Sequence, residues 1–361
     1  MSDILDDHND FGLQCPPPFH ADQVQLDHGG GGQLSQQLLE QVIQPRFANA
    51  ELARGHDSAL LQFGDARVAF TTDSYVINPL IFPGGDIGKL AVYGTVNDLL
   101  MAGARPRYLS CSLIIEEGLP LETLTTILDS MAAAAKECEV AIVTGDTKVV
   151  DRGHGDGLYI NTAGIGVREW PGTIAPQSIQ PGDAIVLSAG VGRHGLAIMA
   201  QREGLQFDTP ITSDCASLLP AVTTLLENGI DVHCMRDATR GGLASILVEL
   251  AELSGLSMTL SATAIPVSEV VVGGCELLGL DPLYVANEGC FVAMVPEAQL
   301  QAALTLLRDQ AVSRESVQIG RVDKKGEPKL TQGKGRVCLQ TAIGSTRLLR
   351  RMTGRLLPRI C

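Results

Sequence analysis

Residues 70–110 read FTTDSYVINPLIFPGGDIGKLAVYGTVNDLLMAGARPRYLS. The residues over 66–72 predict a strand, and Asp73 stands where that strand ends. Pro83, Gly84 and Gly85 make a turn, Asp86 is placed to cap a helix over 87–102, and Gly103 to stop it. Residues 108–115, YLSCSLII, predict the next strand. Strand, turn, helix and strand in that order is α/β architecture, with an acid at a strand end, where ligands of such sheets bind.

Working outward, 58–63 and 66–72 predict a hairpin about Gly64-Asp65, 121–137 a helix, and 140–144 and 158–166 strands. The Pro/Gly-rich stretch 170–183 reads as a linker. A second unit follows. It has strands over 184–189, 256–261 and 290–295, helices over 194–202, 214–228, 242–253, 268–278 and 297–309, and a hairpin over 316–341. The fold class is therefore α/β and α+β in two domains: 26–169, and 184–345 beyond the linker. Residues 1–25 read as a flexible extension and 346–361, with five arginines and no acid, as a flexible basic tail.

The 361 residues carry 27 Lys+Arg against 41 Asp+Glu, a formal charge of −14. Such a chain repels phosphate backbones and anionic lipid, so nucleic-acid and membrane-surface binding are not expected. No run of 18 apolar residues predicts a membrane span, and the acidic start MSDILDDHNDFG lacks the order of a secretion signal, so a cytoplasmic protein is expected. The nine cysteines are scattered without a CxxC pair; most are expected to be buried thiols, and Cys361 is the last residue of the sequence.

The placement of aspartates carries the chemistry. Asp57 precedes one strand, Asp73 and Asp146 stand where two others end, and Asp98 lies with Asn97 inside an apolar helix. Two like charges 4 Å apart repel by about 4 kcal/mol at an effective dielectric near 20, so converging carboxylates need a cation. Hard oxygen ligands without thiols or imidazoles suit Mg²⁺, which commonly arrives with substrate phosphates. For any single aspartate a turn or cap serves equally well; the set favours metal.

Three glycine-rich segments could cradle anions: His28 to Gly32, Pro83 to Lys89, and Arg236 to Gly242. The last two open helices, whose free N–H groups attract phosphate, although turn chemistry explains each alone. Gly190-Val191-Gly192-Arg193-His194-Gly195 fits GxGxxG, but a polar, turn-like stretch follows it instead of a second strand ending in an acid, so it reads as a tight strand–helix turn. No P-loop pattern is present.

The opening stretch, together with IIEEG, IVTGDTKVV, INTAGIG, RDATRGGL, NEG and the terminal LPRIC, closely resembles the HypE family of hydrogenase-maturation proteins, within the PurM-like ATP-binding superfamily. The resemblance spans about 26–361, and GDTKVV with PRIC is its specific part. It implies a homodimer whose N-terminal sheets merge into a barrel-like core, with ATP in a cleft beside the interface. It implies a carbamoyl dehydratase: a carbamoyltransferase, HypF, loads the terminal thiol, ATP drives dehydration of the thiocarbamate to a thiocyanate, and the cyano group passes to iron on a HypC–HypD complex, toward the NiFe-hydrogenase active site.

Carried over by position, Cys361 is the acceptor thiol, and Lys148 and Glu288 act in the chemistry. Asp57, Asp73, Asp98, Asp146 and Asp237 match the metal and phosphate loops. Gly84, Gly85, Asp86, Asn97, Thr147, Arg240 and Gly241 are the expected ATP- and phosphate-binding residues, with Mg²⁺ the expected ion. Read from the residues alone, Lys148 could instead be an ion-pair partner of a nearby Asp, and Glu288 a loop carboxylate capping an N–H. Three departures stand out: the extension 1–25, HGGGG where HGSGG is common, and Cys290 where Lys is common, which would place a second thiol near the site. The alternatives are a selenophosphate synthetase activity, for which Cys15 would have to serve from outside the matching region, a thiamine-phosphate kinase activity, and a nucleotide-binding scaffold.

Overall fold

The computed structural model describes residues 23–205, 207–323, 335–352 and 359–361. Most of the expected extension, including Cys15, lies outside the described residues, as do 353–358 of the tail.

Five strands form the first sheet: β1 (Ala59–Phe63), β2 (Ala66–Tyr75), β3 (Arg105–Glu116), β4 (Ala141–Val150) and β5 (Leu158–Val167). Their order is β1-β2-β5-β3-β4, antiparallel except for the parallel pair β3–β4. Two helices cover one face: α1 (Ile87–Met101) and α2 (Leu121–Glu137). Asp86 caps α1 as expected, its Oδ1 accepting from Gly88 N–H (2.8 Å) and Lys89 N–H (3.0 Å). Gly103, at φ +64°, follows the helix end.

The alternation of β5 decides which face is covered. Leu158, Ile160 and Thr162 turn inward under α1. Gly164 continues that row because the helix lies so close: a Cβ there would sit 2.8 Å from Thr95 Cγ2. The opposite face is apolar yet open. Phe70, Ile165 and Tyr108 are cross-strand neighbours, exposed by 40%, 42% and 52%.

The second sheet has β6 (Ala184–Leu187), β7 (Cys234–Asp237), β8 (Met258–Ser261), β9 (Phe291–Val295), β10 (Val317–Val322), β11 (Val337–Gln340) and β12 (Thr346–Leu349). Their order is β12-β11-β8-β10-β6-β9-β7. Around it pack α3 (Arg193–Arg202), α4 (Leu219–Glu227), α5 (Gly242–Ser254), α6 (Glu269–Leu278) and α7 (Leu300–Arg308). Strand β9 is buried along its whole length, and its side chains feed two cores in alternation. Val292 and Met294 join the cluster under α5, while Phe291, Ala293 and Val295 join the one under α4 and α7. That second cluster continues without a break into Leu90, Val96 and Leu100 of α1, so one apolar core spans both domains. A helix buried on every side, as α1 is, fits that position.

Three expectations are corrected. Strand β4 runs to Val150, so Asp146 lies within it rather than at its end. Residues 316–341 are no hairpin: β10 pairs with β6 and β8, while β11 pairs with β8 and β12. Residues 346–349, expected to be flexible, form β12. The stretch 170–183, read as a linker, is packed against its surroundings, with Ile174, Ala175 and Ile179 buried and Ala175 N–H donating to the His233 carbonyl.

Candidate active site

A cleft of about 740 Å³ opens between the two domains. Three carboxylates meet on its wall. Asp57 precedes β1, Asp98 sits in the last turn of α1, and Asp237 ends β7; one oxygen from each lies within 4.8 Å of the others. The Thr71 hydroxyl donates to Asp98 Oδ2 at 2.8 Å, and Ser58 Oγ donates to the Asp98 carbonyl. Asp57 Oδ1 meets Arg236 Nη1 at 2.9 Å, while its Oδ2 is buried with no hydrogen-bond partner.

Burial dominates the electrostatics. It raises the Asp98 carboxyl well above its ordinary range, and Asp73, Asp237 and Asp57 push the same way. Asp237 rises for the same first reason. Burial lifts Asp57 to about 6 even with the Arg236 guanidinium beside it. Clustered carboxylates held above their normal pKa, one with an orphaned oxygen, are a donor set that fits a hard divalent cation.

Beside the acids stands a corner built from Arg240 and a glycine turn. Arg240 precedes Gly241 and Gly242, whose φ values of +77° and +65° turn the chain into α5, and Arg240 itself lines the cleft. A Cβ on Gly241 would fall 2.4 Å from Ser245 Oγ, so the turn needs glycine. The 28–32 glycine loop lies against it: a Cβ on Gly31 would come within 2.9 Å of the Arg240 Cβ.

Glu288 and Cys361 face the same cleft. Asp214 caps the loop of Glu288, accepting from Glu288 N–H and Gly289 N–H, each at 3.1 Å. The Glu288 side chain caps nothing with Oε1, which is buried without a partner. Its carboxyl is raised well above the usual range by burial, then by Asp237 and Asp214, against Arg240. The Cys361 thiol is pushed up to about 12 by burial; Arg240 opposes this and Glu288, Asp73 and Asp237 add to it.

Other expected residues lie elsewhere. Asp146, Thr147 and Lys148 stand on exposed β4, where Lys148 Nζ pairs with Asp146 Oδ2 at 2.6 Å and holds that carboxyl below its usual range. Asp146 thus takes no part in the aspartate cluster of its own chain. The Gly84-Gly85 turn packs on the 213–215 segment, where a Cβ at Gly84 would meet the Ser213 carbonyl at 2.8 Å. Asp86 is occupied as a helix cap. Asn97 joins the domains, donating to the Ala216 carbonyl (3.1 Å) and accepting from Leu218 N–H (2.9 Å). Cys290 is buried in the second-domain core against the Ala189 carbonyl and does not line the cleft. Reading the sequence missed Asp214, which acts on residues 74 positions away. It also missed Arg351, which bridges Glu249 and Glu252 on α5 and so ties the base of the tail to the Arg236 network.

Two family models match the chain: AIR synthase related protein, N-terminal domain, over 55–168, and its C-terminal domain over 180–333. A relative named carbamoyl dehydratase HypE, from Cupriavidus necator, is 45% identical over 352 residues, covering 97% of this chain and 98% of the relative. A chain in the crystal structure of a HypE–HypF complex superposes with a TM-score of 0.81 at 41% identity, over 87% of this chain and 99% of that one. A hydrogenase maturation protein HypE crystallised with ATP gives 0.79 at 46% identity, over 94% and 100%. No helix among the described residues is long and apolar enough to cross a membrane.

Proposed function

We infer the reaction from the family to which this chain belongs, the HypE carbamoyl dehydratases of the AIR synthase related superfamily. It is an ATP-dependent carbamoyl dehydratase of hydrogenase maturation. The selenophosphate synthetase and thiamine-phosphate kinase alternatives give way to that assignment. The observation that carries the site is the meeting of Cys361 with Glu288, Arg240 and the aspartate cluster in one cleft.

The substrate is a carbamoyl group on the Cys361 sulfur. Its oxygen is a poor leaving group until phosphorylated. The γ-phosphoryl of ATP passes to that oxygen, two N–H protons leave, and phosphate departs with the former carbamoyl oxygen, giving S–C≡N, ADP and phosphate. Phosphoryl transfer asks mainly for positioning and neutralised charge. Arg240 and the first turn of α5 bind the phosphates. Asp57, Asp98 and Asp237, with Asp73 beside them, would hold Mg²⁺, which when bound neutralises charge on the transferring group. Glu288 takes the nitrogen protons. Burial and neighbouring acids make its carboxylate a stronger base than a solvated one, and its Oε1 has no competing partner.

Sulfur in this cleft is a poor nucleophile while it carries a proton at neutral pH. Loading therefore happens outside, on HypF, the partner in the relative's complex. The nitrile then goes to an iron scaffold of the HypC–HypD kind. The open apolar face of the first sheet supports pairing with a second copy. In such a dimer Lys148, which does not line the cleft of its own chain, serves the cleft of the partner. The decisive experiment incubates the protein with HypF, carbamoyl phosphate and ATP and weighs the C-terminal peptide. Addition of one carbamoyl group to Cys361, followed by loss of one water only when ATP is present, is expected. A Cys361 that stays unmodified while a control relative reacts refutes the reading.

A further inference from the structure

The last three residues are gripped without a hydrogen bond to the sulfur. Residues 359–361 lie along 76–78 like an added strand: Val76 N–H donates to the main-chain oxygen of Cys361 at 3.1 Å and Asn78 N–H to the Arg359 carbonyl at 3.4 Å. Three side chains close on the segment from other elements. His194, in the GxGxxG turn that no dinucleotide claims, directs Nε2 at the Ile360 carbonyl, while its Nδ1 meets Ser213 Oγ at 2.7 Å. Arg202, at the far end of α3, donates to the Arg359 carbonyl and to the Asn78 carbonyl. Asp156, in the loop after β4, pairs with the Arg359 guanidinium at 2.6 Å. That loop is itself pinned by Glu116, which accepts from Gly157 N–H at 2.8 Å. Ile360 is buried in the shared core, 5% exposed.

We propose that His194, Arg202 and Asp156 are positioning residues forming a docking site for Arg359-Ile360-Cys361, reading backbone oxygens, the arginine and the isoleucine so that tails with bare and capped sulfur dock alike. The proposal rests on the reading of Cys361 as the substrate-bearing thiol for its kinetic part only. The ring of His194 is oriented by Ser213 on one side and stands edge-on to Phe82, centroids 5.6 Å apart, so it presents one nitrogen to the tail. Holding the segment by parts that the chemistry never alters keeps the reacting carbon in one place from thiocarbamate to thiocyanate.

The test begins without ATP or HypF. Iodoacetamide alkylation of Cys361 is followed by peptide mass in the full chain, in Asp156→Asn, Arg202→Met, His194→Ala and His194→Gln, and in a synthetic peptide ending Arg-Ile-Cys. Docking predicts slow alkylation in the parent and at least about tenfold faster alkylation in D156N and R202M at an unchanged melting temperature, the loss of a charge-assisted contact setting the scale. H194A is expected to behave likewise and H194Q, which keeps an N–H donor, to recover protection. D156N replaces a surface-loop residue, so it reports even where H194A fails to fold. With HypF and ATP, the same variants keep the rate of carbamoylation and lose dehydration rate. Alkylation in the parent as fast as in the peptide, or unchanged in both D156N and R202M, overturns the proposal. Failure of carbamoylation with the alkylation differences intact would instead refute the dehydratase reading and leave the docking site standing.

Discussion

Replacing Asp98 by Asn makes the apoprotein more stable and abolishes its response to Mg-ATP. Oxygens of Asp57, Asp98 and Asp237 lie within 4.8 Å of one another. At an effective dielectric near 20, each ionised pair at that separation repels by roughly 3–4 kcal/mol. Burial first, and that repulsion after it, keeps protons on these carboxyls and raises them. Asp57 moves from 3.8 to about 6 with a cation beside it, a difference of about 3 kcal/mol between its two protonation states. Asp98 is raised well above its ordinary value, first by burial and then by Asp73, Asp237 and Asp57. One pairwise repulsion at that separation, roughly 3 kcal/mol, sets the scale of what its charge costs.

The folded state holds more protons than the unfolded one, so stability falls as pH rises from about 4 through the raised values. Asparagine removes one of those groups and can still accept from Thr71. At roughly 1–2 °C per kcal/mol for a chain of this size, D98N melts about 3–6 °C above the parent at pH 8 in chelator. At pH 4, close to the ordinary carboxyl value of 3.8, the difference shrinks to well under about 1 kcal/mol. Mg-ATP at a hundred times its dissociation constant stabilises the parent by about 2.7 kcal/mol, and D98N loses that gain. Thermal melts at the two pH values, with chelator and with Mg-ATP, check both. A D98N that melts below the parent at pH 8 in chelator, or that retains the full Mg-ATP shift, refutes the reasoning.

Glu288→Gln is expected to load with carbamoyl and bind ATP normally but to dehydrate on the order of 10² to 10⁴ times more slowly in a single-turnover measurement. Asn97→Ala leaves the Ala216 carbonyl and Leu218 N–H without their partner, so a denaturant titration should show a loss of about 2–4 kcal/mol. Val149→Glu, on the exposed edge strand β4, should weaken the proposed pairing with a second copy, read as slower sedimentation than the parent with the circular dichroism unchanged. Mixing Lys148→Ala with E288Q should restore roughly a quarter of parental activity, since half of randomly mixed dimers pair unlike chains and each holds one intact site; no recovery would place Lys148 in its own chain's chemistry.

What was legible in the sequence was local. Helix α1 runs from its Asp86 cap almost to Gly103 because both signals lie next to the residues they govern. Asp98 was visible as a charge inside an apolar helix. Strand β4 was cut short because its edge position leaves Asp146, Thr147 and Lys148 in solvent, and a polar strand looks like a loop. The supposed hairpin over 316–341 failed because β10 and β11 both choose β8 as neighbour, a pairing fixed by the packing of the whole sheet. Basic β12 was missed because only β11, adjacent in space, gives it structure. Asp214 and His194 were invisible as site residues for the same reason: their partners lie 74 and 166 positions away.

The apolar core that runs uninterrupted from α1 into the strands beneath α4 and α7 has a mechanical corollary. Halves that share a core do not part as separate bodies without exposing it, so the width of the chamber is set by that core. Selectivity for a one-carbon adduct then resembles a gauge more than a grip, and bulkier acyl groups on the same sulfur would be turned away by rigid walls alone.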